Sequence, residues 1–126
     1  MKIHGITIYL NDNYKIDLKE ILEIIGEAGK SSQWKISGAE CFGDSAEKTH
    51  EISDNGKEIS DKEFYKLVSN IYQTLDGTFQ AFKIDENLTW LLIRSIRGDE
   101  FDIETEDREL LKKFRDSLQN VKDLIY

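Results

Sequence analysis

The feature that most constrains the fold is the stretch from Thr89 to Glu109, TWLLIRSIRGDEFDIETEDRE. An apolar run leads into Gly98 and Asp99, after which acidic and apolar residues alternate. Glycine beside a short polar residue favours a tight turn. Alternation with a period of two is typical of a strand that has one side in water. The stretch therefore predicts two consecutive antiparallel strands and then the start of a helix.

These two strands are expected at 88–97 and 100–104, and a third extended segment at 78–84 precedes them. The three together predict a C-terminal three-stranded meander. Within 88–97, Trp90 and Leu92 lie on one side and Leu91 and Ile93 on the other. Because both sides are apolar, we expect this strand to be central and covered on both faces.

The first half of the chain contains further strand patterns. The alternating residues Ile6, Ile8 and Leu10 predict a first strand. A second strand is expected around residues 33–43, with a bulge at Gly38, where the apolar phase shifts. In the segment 50–59, Asn55–Gly56 stands between two short extended pieces and predicts a small hairpin.

Three helices are expected between the strands. Asp17, with Glu20 three residues later, predicts a capped start for a helix over about residues 18–28. Ser60 caps a second helix, and Thr105 caps a third whose buried stripe reaches Val121. The apolar residues of the second helix follow helical spacing: Phe64, Leu67, Val68, Ile71, Tyr72 and Leu75.

The element order predicts one α+β domain over residues 1–126. Its sheet is expected to be mostly antiparallel, with the C-terminal three-stranded meander and the three helices packed mainly on one face.

Charge and length narrow the classes of function. The formal net charge of −8 over 126 residues argues against nucleic-acid binding, which needs clustered Lys and Arg. It also disfavours anionic membrane surfaces. No apolar run approaches the roughly 18 residues of a membrane helix, and the first residues lack the apolar core of a signal peptide. One cysteine, Cys41, fits a reducing compartment. We therefore expect a cytoplasmic protein.

Motifs for catalysis or cofactor binding are not found. The sequence has neither a phosphate-binding loop nor a GxSxG nucleophile motif. His4, Cys41 and His50 lack the close spacing of zinc ligands. Cys41 and His50 are candidates for a thiol–imidazole pair, but the neighbouring Ala39 and Phe42 favour a packed strand thiol. We therefore predict no catalytic residue, no metal and no cofactor.

The acidic block from Asp99 to Glu109 is the main candidate site, since seven of its eleven residues are acidic. Its candidate partner-binding residues are Asp99, Glu100, Asp102, Glu104, Glu106 and Asp107. Alternate residues of a strand lie about 7 Å apart on one face, so Glu100, Asp102 and Glu104 form a line of carboxylates. Three interpretations remain open: a docking strip for a basic protein, a weak divalent-cation site, and a solvated strand whose charges deter edge-to-edge pairing. The last is the commonest reason for such a run.

Arg94 and Arg97 stand out in the mostly apolar strand before the turn. A cross-strand ion pair with one of the neighbouring carboxylates is the favoured interpretation. The alternative is an anion-binding pocket formed by the two arginines.

Three hypotheses of function follow from these patterns. The first is a non-catalytic interaction module that binds a basic protein partner, one version being an immunity- or antitoxin-like inhibitor of a basic effector. The alternative is a small ligand-binding protein or enzyme with a pocket near Arg94 and Arg97. The third is a homodimer formed through the meander edge or exposed aromatic residues.

Overall fold

A computed structural model describes residues 3–85 and 88–125, and over these residues the chain is an α+β protein, as predicted. All the strand pairings in the described ranges are antiparallel. The strands are β1 (Ile3–Tyr9), β2 (Ser32–Gly43), β3 (Glu58–Ile59), β4 (Ile71–Lys83), β5 (Thr89–Ile96), β6 (Glu100–Thr105) and β7 (Val121–Ile125). The helices are α1 (Leu18–Ile25), α2 (Glu27–Lys30), α3 (Ala46–Asn55), α4 (Asp61–Ser69) and α5 (Arg108–Ser117).

The strands form one sheet in the order β3-β2-β4-β5-β6-β1-β7. The C-terminal meander is confirmed, because β4 pairs with β5 and β5 with β6. The first strand of the chain then continues the sheet, with Ile6 opposite Ile103 of β6. The predicted bulge is also present, since the register of β2 on β4 shifts between Ser37 and Glu40.

One side of the sheet and the apolar stripes of the helices share a single core. Trp34 of β2 is fully buried, and its ring stacks on Phe64 of α4 with 4.2 Å between centroids. On β5, Leu91 and Ile93 are fully buried, whereas Leu92 is only half-buried and lies outside the core cluster. Our expectation that both faces of β5 are covered was therefore wrong. Apolar residues on both sides of a strand do not specify what lies against each side.

The prediction of three helices was also wrong, because the described residues contain five. The helix expected over 18–28 ends at Ile25, and α2 follows as a separate turn. Gly26 between them has φ +68°, a conformation that glycine adopts without the clash a Cβ would cause. The predicted cap is confirmed: Asp17 accepts from backbone N–H groups of the first turn, and Glu20 Oε2 accepts from the Asp17 N–H at 2.8 Å.

The hairpin expected over 50–59 is instead the helix α3, followed by the short strand β3. Gly56 has φ +64° and donates its N–H to the carbonyl of Ile52, which ends the helix. An Asn–Gly pair fits either a hairpin turn or a helix end, because both need a positive φ. Tertiary packing decided between them, since Ile52 packs against the core.

The second and third predicted helices begin near the expected residues but end early. Ser60 caps α4 as predicted, but Ile71 belongs to β4 and pairs with Gly43. Pairing with β2 therefore overrides the helical spacing of Ile71, Tyr72 and Leu75. Val121 likewise begins β7, after Asn120 turns the chain with φ +58°.

The cap of α5 is Asp107 rather than Thr105. Asp107 Oδ1 accepts from the Leu110 N–H at 3.1 Å. Thr105 is the last residue of β6, and its hydroxyl donates to the carbonyl of Trp90. No helix in the described part of the chain is long and apolar enough to cross a membrane.

Candidate functional site

Three of the six predicted partner-binding residues line up on the sheet. Glu100, Asp102 and Glu104 are half-buried and alternate along β6 with the buried Phe101 and Ile103. We call these three carboxylates the acidic strip; they lie on the face of β6 opposite the core. The other three predicted residues are exposed beyond the ends of β6: Asp99 on one side, and Glu106 and Asp107 on the other.

The carboxylates of the acidic strip are crowded. The pKa of Glu100 is raised above its ordinary value of 4.5, mainly by burial and then by the hydrogen bond and charge of Asp102, while Arg97 opposes the shift. Asp102 Oδ1 also accepts from the hydroxyl of Thr7 at 2.8 Å. Ionised Glu100 is therefore disfavoured first by desolvation and then by the charge of Asp102, and a further nearby cation would offset the second effect.

Arg94 forms the kind of cross-strand ion pair that the sequence favoured. Its Nη1 lies 2.6 Å from Oε2 of Glu104, with the two side chains 40% and 22% exposed. Arg94 is opposite Asp102 in register, so it reaches diagonally to Glu104. The pair balances the charge of Arg94 at one end of the acidic strip.

Arg97 lies in the turn after β5 and is exposed. Its φ is +52°, and its backbone N–H donates to Asp76 Oδ1 at 3.1 Å. Arg94 and Arg97 thus hold different positions, one in a strand and one in a turn. This arrangement gives little support to an anion pocket built from both.

An open cleft lies at the end of the β4–β5 pair, beside Glu104. Its volume is about 1200 Å³, and its lining includes Trp90, Leu92, Arg94, Glu104, Glu106 and Asp107. We call it the hairpin cleft. The half-buried Trp90 is held by a hydrogen bond from its Nε1 to Ser32 Oγ at 2.8 Å. The sequence predicted a pocket near Arg94 and Arg97; Arg94 lines this cleft, whereas Arg97 does not. The prediction did not include Ile84 and Leu88, which also line the cleft and are apolar residues on either side of the expected turn.

Cys41 and His50 are brought together, but in a geometry that does not activate the thiol. His50 Nε2 lies 3.8 Å from Cys41 Sγ and accepts from the Cys41 backbone N–H at 3.2 Å. Burial raises the pKa of the thiol above 9.0, and the charge of Asp17 raises it further. A nucleophilic cysteine needs the opposite shift, so the contact supports a structural role.

His50 binds the part of β2 that lies beyond the short strand β3. Ser53, one turn further along α3, accepts from the Ala39 N–H at 2.9 Å. The side chains of Ser53 and His50 thus bind the backbone N–H groups of Ala39 and Cys41, in the part of β2 that β3 does not pair with.

The interpretation of the acidic block as a divalent metal-ion site gains no geometric support. Within the described ranges, no group of three or more His, Cys, Asp or Glu side chains is placed to hold a metal ion. The side chain of His4 lies outside the described part of the structure.

The chain matches no protein-family model, no curated protein and no solved structure at a significant level. Its function must therefore be inferred from the chemistry of its own residues.

Proposed function

We propose that this chain is a non-catalytic interaction module that binds a protein partner with a basic surface. The contact would use the acidic strip, with Asp99, Glu106 and Asp107 at its ends. One observation carries the proposal: three carboxylates stand in line on the face of the sheet opposite the core.

The energetics of the acidic strip favour a cationic partner. Burial raises the pKa of Glu100, and the hydrogen bond and negative charge of Asp102 raise it further. A Lys or Arg from a partner would stabilise both ionised groups, so part of the binding free energy would come from relief of repulsion. The net charge of −8 would also speed the encounter with a basic surface.

One concrete form is an immunity- or antitoxin-like inhibitor of a basic effector. Carboxylates repeated about 7 Å apart along a strand would occupy the effector's cationic groups in place of phosphates. The alternative, an anion or substrate pocket at Arg94 and Arg97, has less support. Arg94 lines the hairpin cleft but is paired with Glu104, and Arg97 is exposed in the turn outside the cleft lining.

The test begins with capture of partners from a lysate of the source cells at low and high salt. Association of the captured partner is then measured with the double variant Glu100→Gln/Asp102→Asn, which leaves the Arg94–Glu104 pair intact. The matched control is Glu51→Gln/Asp54→Asn, which changes the net charge equally at exposed positions of α3.

We expect the strip variant to associate about tenfold more slowly at low salt and to depend less on salt. The association rate of the control variant should fall much less. Equal losses in the two variants would show that only net charge matters, and unchanged rates in both would refute an acidic docking surface.

A further inference from the structure

The hairpin cleft joins apolar and acidic groups at one end of the acidic strip. Leu88 and Ile84 are 69% and 51% exposed and line the cleft together with Trp90. Single exposed apolar side chains are ordinary, but these two line one cleft together with the half-buried Trp90. Such a continuous surface marks a binding site more often than a scattered residue does.

The charges around the cleft favour a cationic occupant. Its lining contains the carboxylates of Glu104, Glu106 and Asp107 against the two cations Lys83 and Arg94. The carboxylates outnumber the cations by one, so the cleft favours a cationic ligand over an anionic one. A second copy of this chain, with its own charge of −8, is a poorer fit than a basic protein.

We infer that the hairpin cleft receives an apolar side chain of the basic partner, flanked in that partner by Lys or Arg. This inference rests on the proposed function and adds to it the site at which the partner is anchored. Trp90 would form one wall of the site. Its hydrogen bond to Ser32 holds the ring in place before binding, which lowers the entropic cost of the contact. The flanking cations would contact the carboxylates of the rim, and an apolar anchor with a charged rim is typical of protein interfaces.

The probes are three short synthetic peptides, titrated into the full chain and followed by NMR. The first alternates lysine with phenylalanine, the second lysine with serine, and the third glutamate with phenylalanine. The indole N–H of Trp90 reports on the cleft. The indole N–H of Trp34, which is buried and donates to the Gly29 carbonyl at 3.0 Å, serves as the internal control.

We expect the lysine–phenylalanine peptide to shift the Trp90 indole and the amides of the acidic strip, without affecting Trp34. Leu88→Ser should weaken this binding by about fivefold to tenfold, since an aliphatic contact is lost. The matched control Phe42→Ser, at another exposed apolar side chain on β2, should leave the affinity unchanged.

The outcomes separate this inference from the proposed function. The lysine–serine peptide could bind the acidic strip as tightly as the lysine–phenylalanine peptide, with no shift of the Trp90 indole signal. The cleft would then not be an anchor, but docking on the acidic strip would still be supported. Binding of the glutamate–phenylalanine peptide at Trp90 with equal affinity would overturn the cationic specificity. If Leu88→Ser and Phe42→Ser changed the affinity for the lysine–phenylalanine peptide equally, the hairpin cleft would not be the binding site. If neither cationic peptide shifts the strip, the proposed function fails as well.

Discussion

Replacing Asp17 with alanine is expected to lower the free energy of unfolding by about 2–4 kcal/mol. Asp17 caps α1 through the Leu18 N–H at 2.8 Å. It also binds β4, accepting from the backbone N–H of Thr74 at 2.9 Å and from its hydroxyl at 2.7 Å. Loss of a cap costs about 1 kcal/mol. Thr74 is 2% exposed, and an orphaned buried N–H costs about 1–3 kcal/mol more.

The assay is urea unfolding at neutral pH, and two variants divide the effect. Ser60→Ala removes the cap of α4, where Ser60 Oγ accepts only an exposed N–H, that of Glu63, at 3.2 Å, so it should cost about 1 kcal/mol. Asp17→Asn keeps a capping oxygen but loses one acceptor toward Thr74. Its loss in free energy of unfolding should therefore lie between those of Ser60→Ala and Asp17→Ala. The reasoning would be refuted if Asp17→Ala cost no more than Ser60→Ala, because the bonds to β4 would then contribute nothing.

Three further predictions concern Glu100, Cys41 and Gly5. Since the folded state raises the pKa of Glu100 above 4.5, ionised Glu100 destabilises the fold as pH rises through that higher value. Glu100→Gln should therefore stabilise the protein by about 0.2–1 kcal/mol at neutral pH, and thermal melts should show the gain vanish below pH 4.5. Cys41 should react slowly with iodoacetamide in the native protein and quickly in denaturant. His50→Ala should not slow the native reaction further. Fast alkylation of the native protein that depends on His50 would instead support a catalytic thiol–imidazole pair. A Cβ at Gly5 would overlap the carbonyl oxygen of Ile103, so Gly5→Ala should destabilise the fold by about 1–3 kcal/mol; a melting temperature equal to the parent's would contradict the close approach of β1 and β6.

Much of the fold could be predicted because its signals are local. The Asp17 and Ser60 caps and the Gly38 bulge depend on residues a few positions apart, and the meander joins strands that follow one another along the chain. The period of two in β6 also places Glu100 and Asp102 on one face, whatever the order of the strands in the sheet.

The failures occurred where one local pattern fits two structures. Asn55–Gly56 serves equally as a hairpin turn and as a helix end, and packing of Ile52 against the core selected the helix. The spacing of Ile71 and Leu75 suits a helix, but their segment pairs with β2 instead. In both cases long-range contacts outweighed local preference.

The sequence by itself determined the caps of α1 and α4, the alternating strands and the line of carboxylates, since each depends on local spacing along the backbone. Only the tertiary structure decided which groups meet across the chain. Asp17 binds Thr74 across 57 positions, and Trp90 reaches Ser32 across 58. These contacts depend on the order of the strands in the sheet, which no short segment encodes. The same order places the hairpin cleft beside the acidic strip, and so determines which surface is available to a partner.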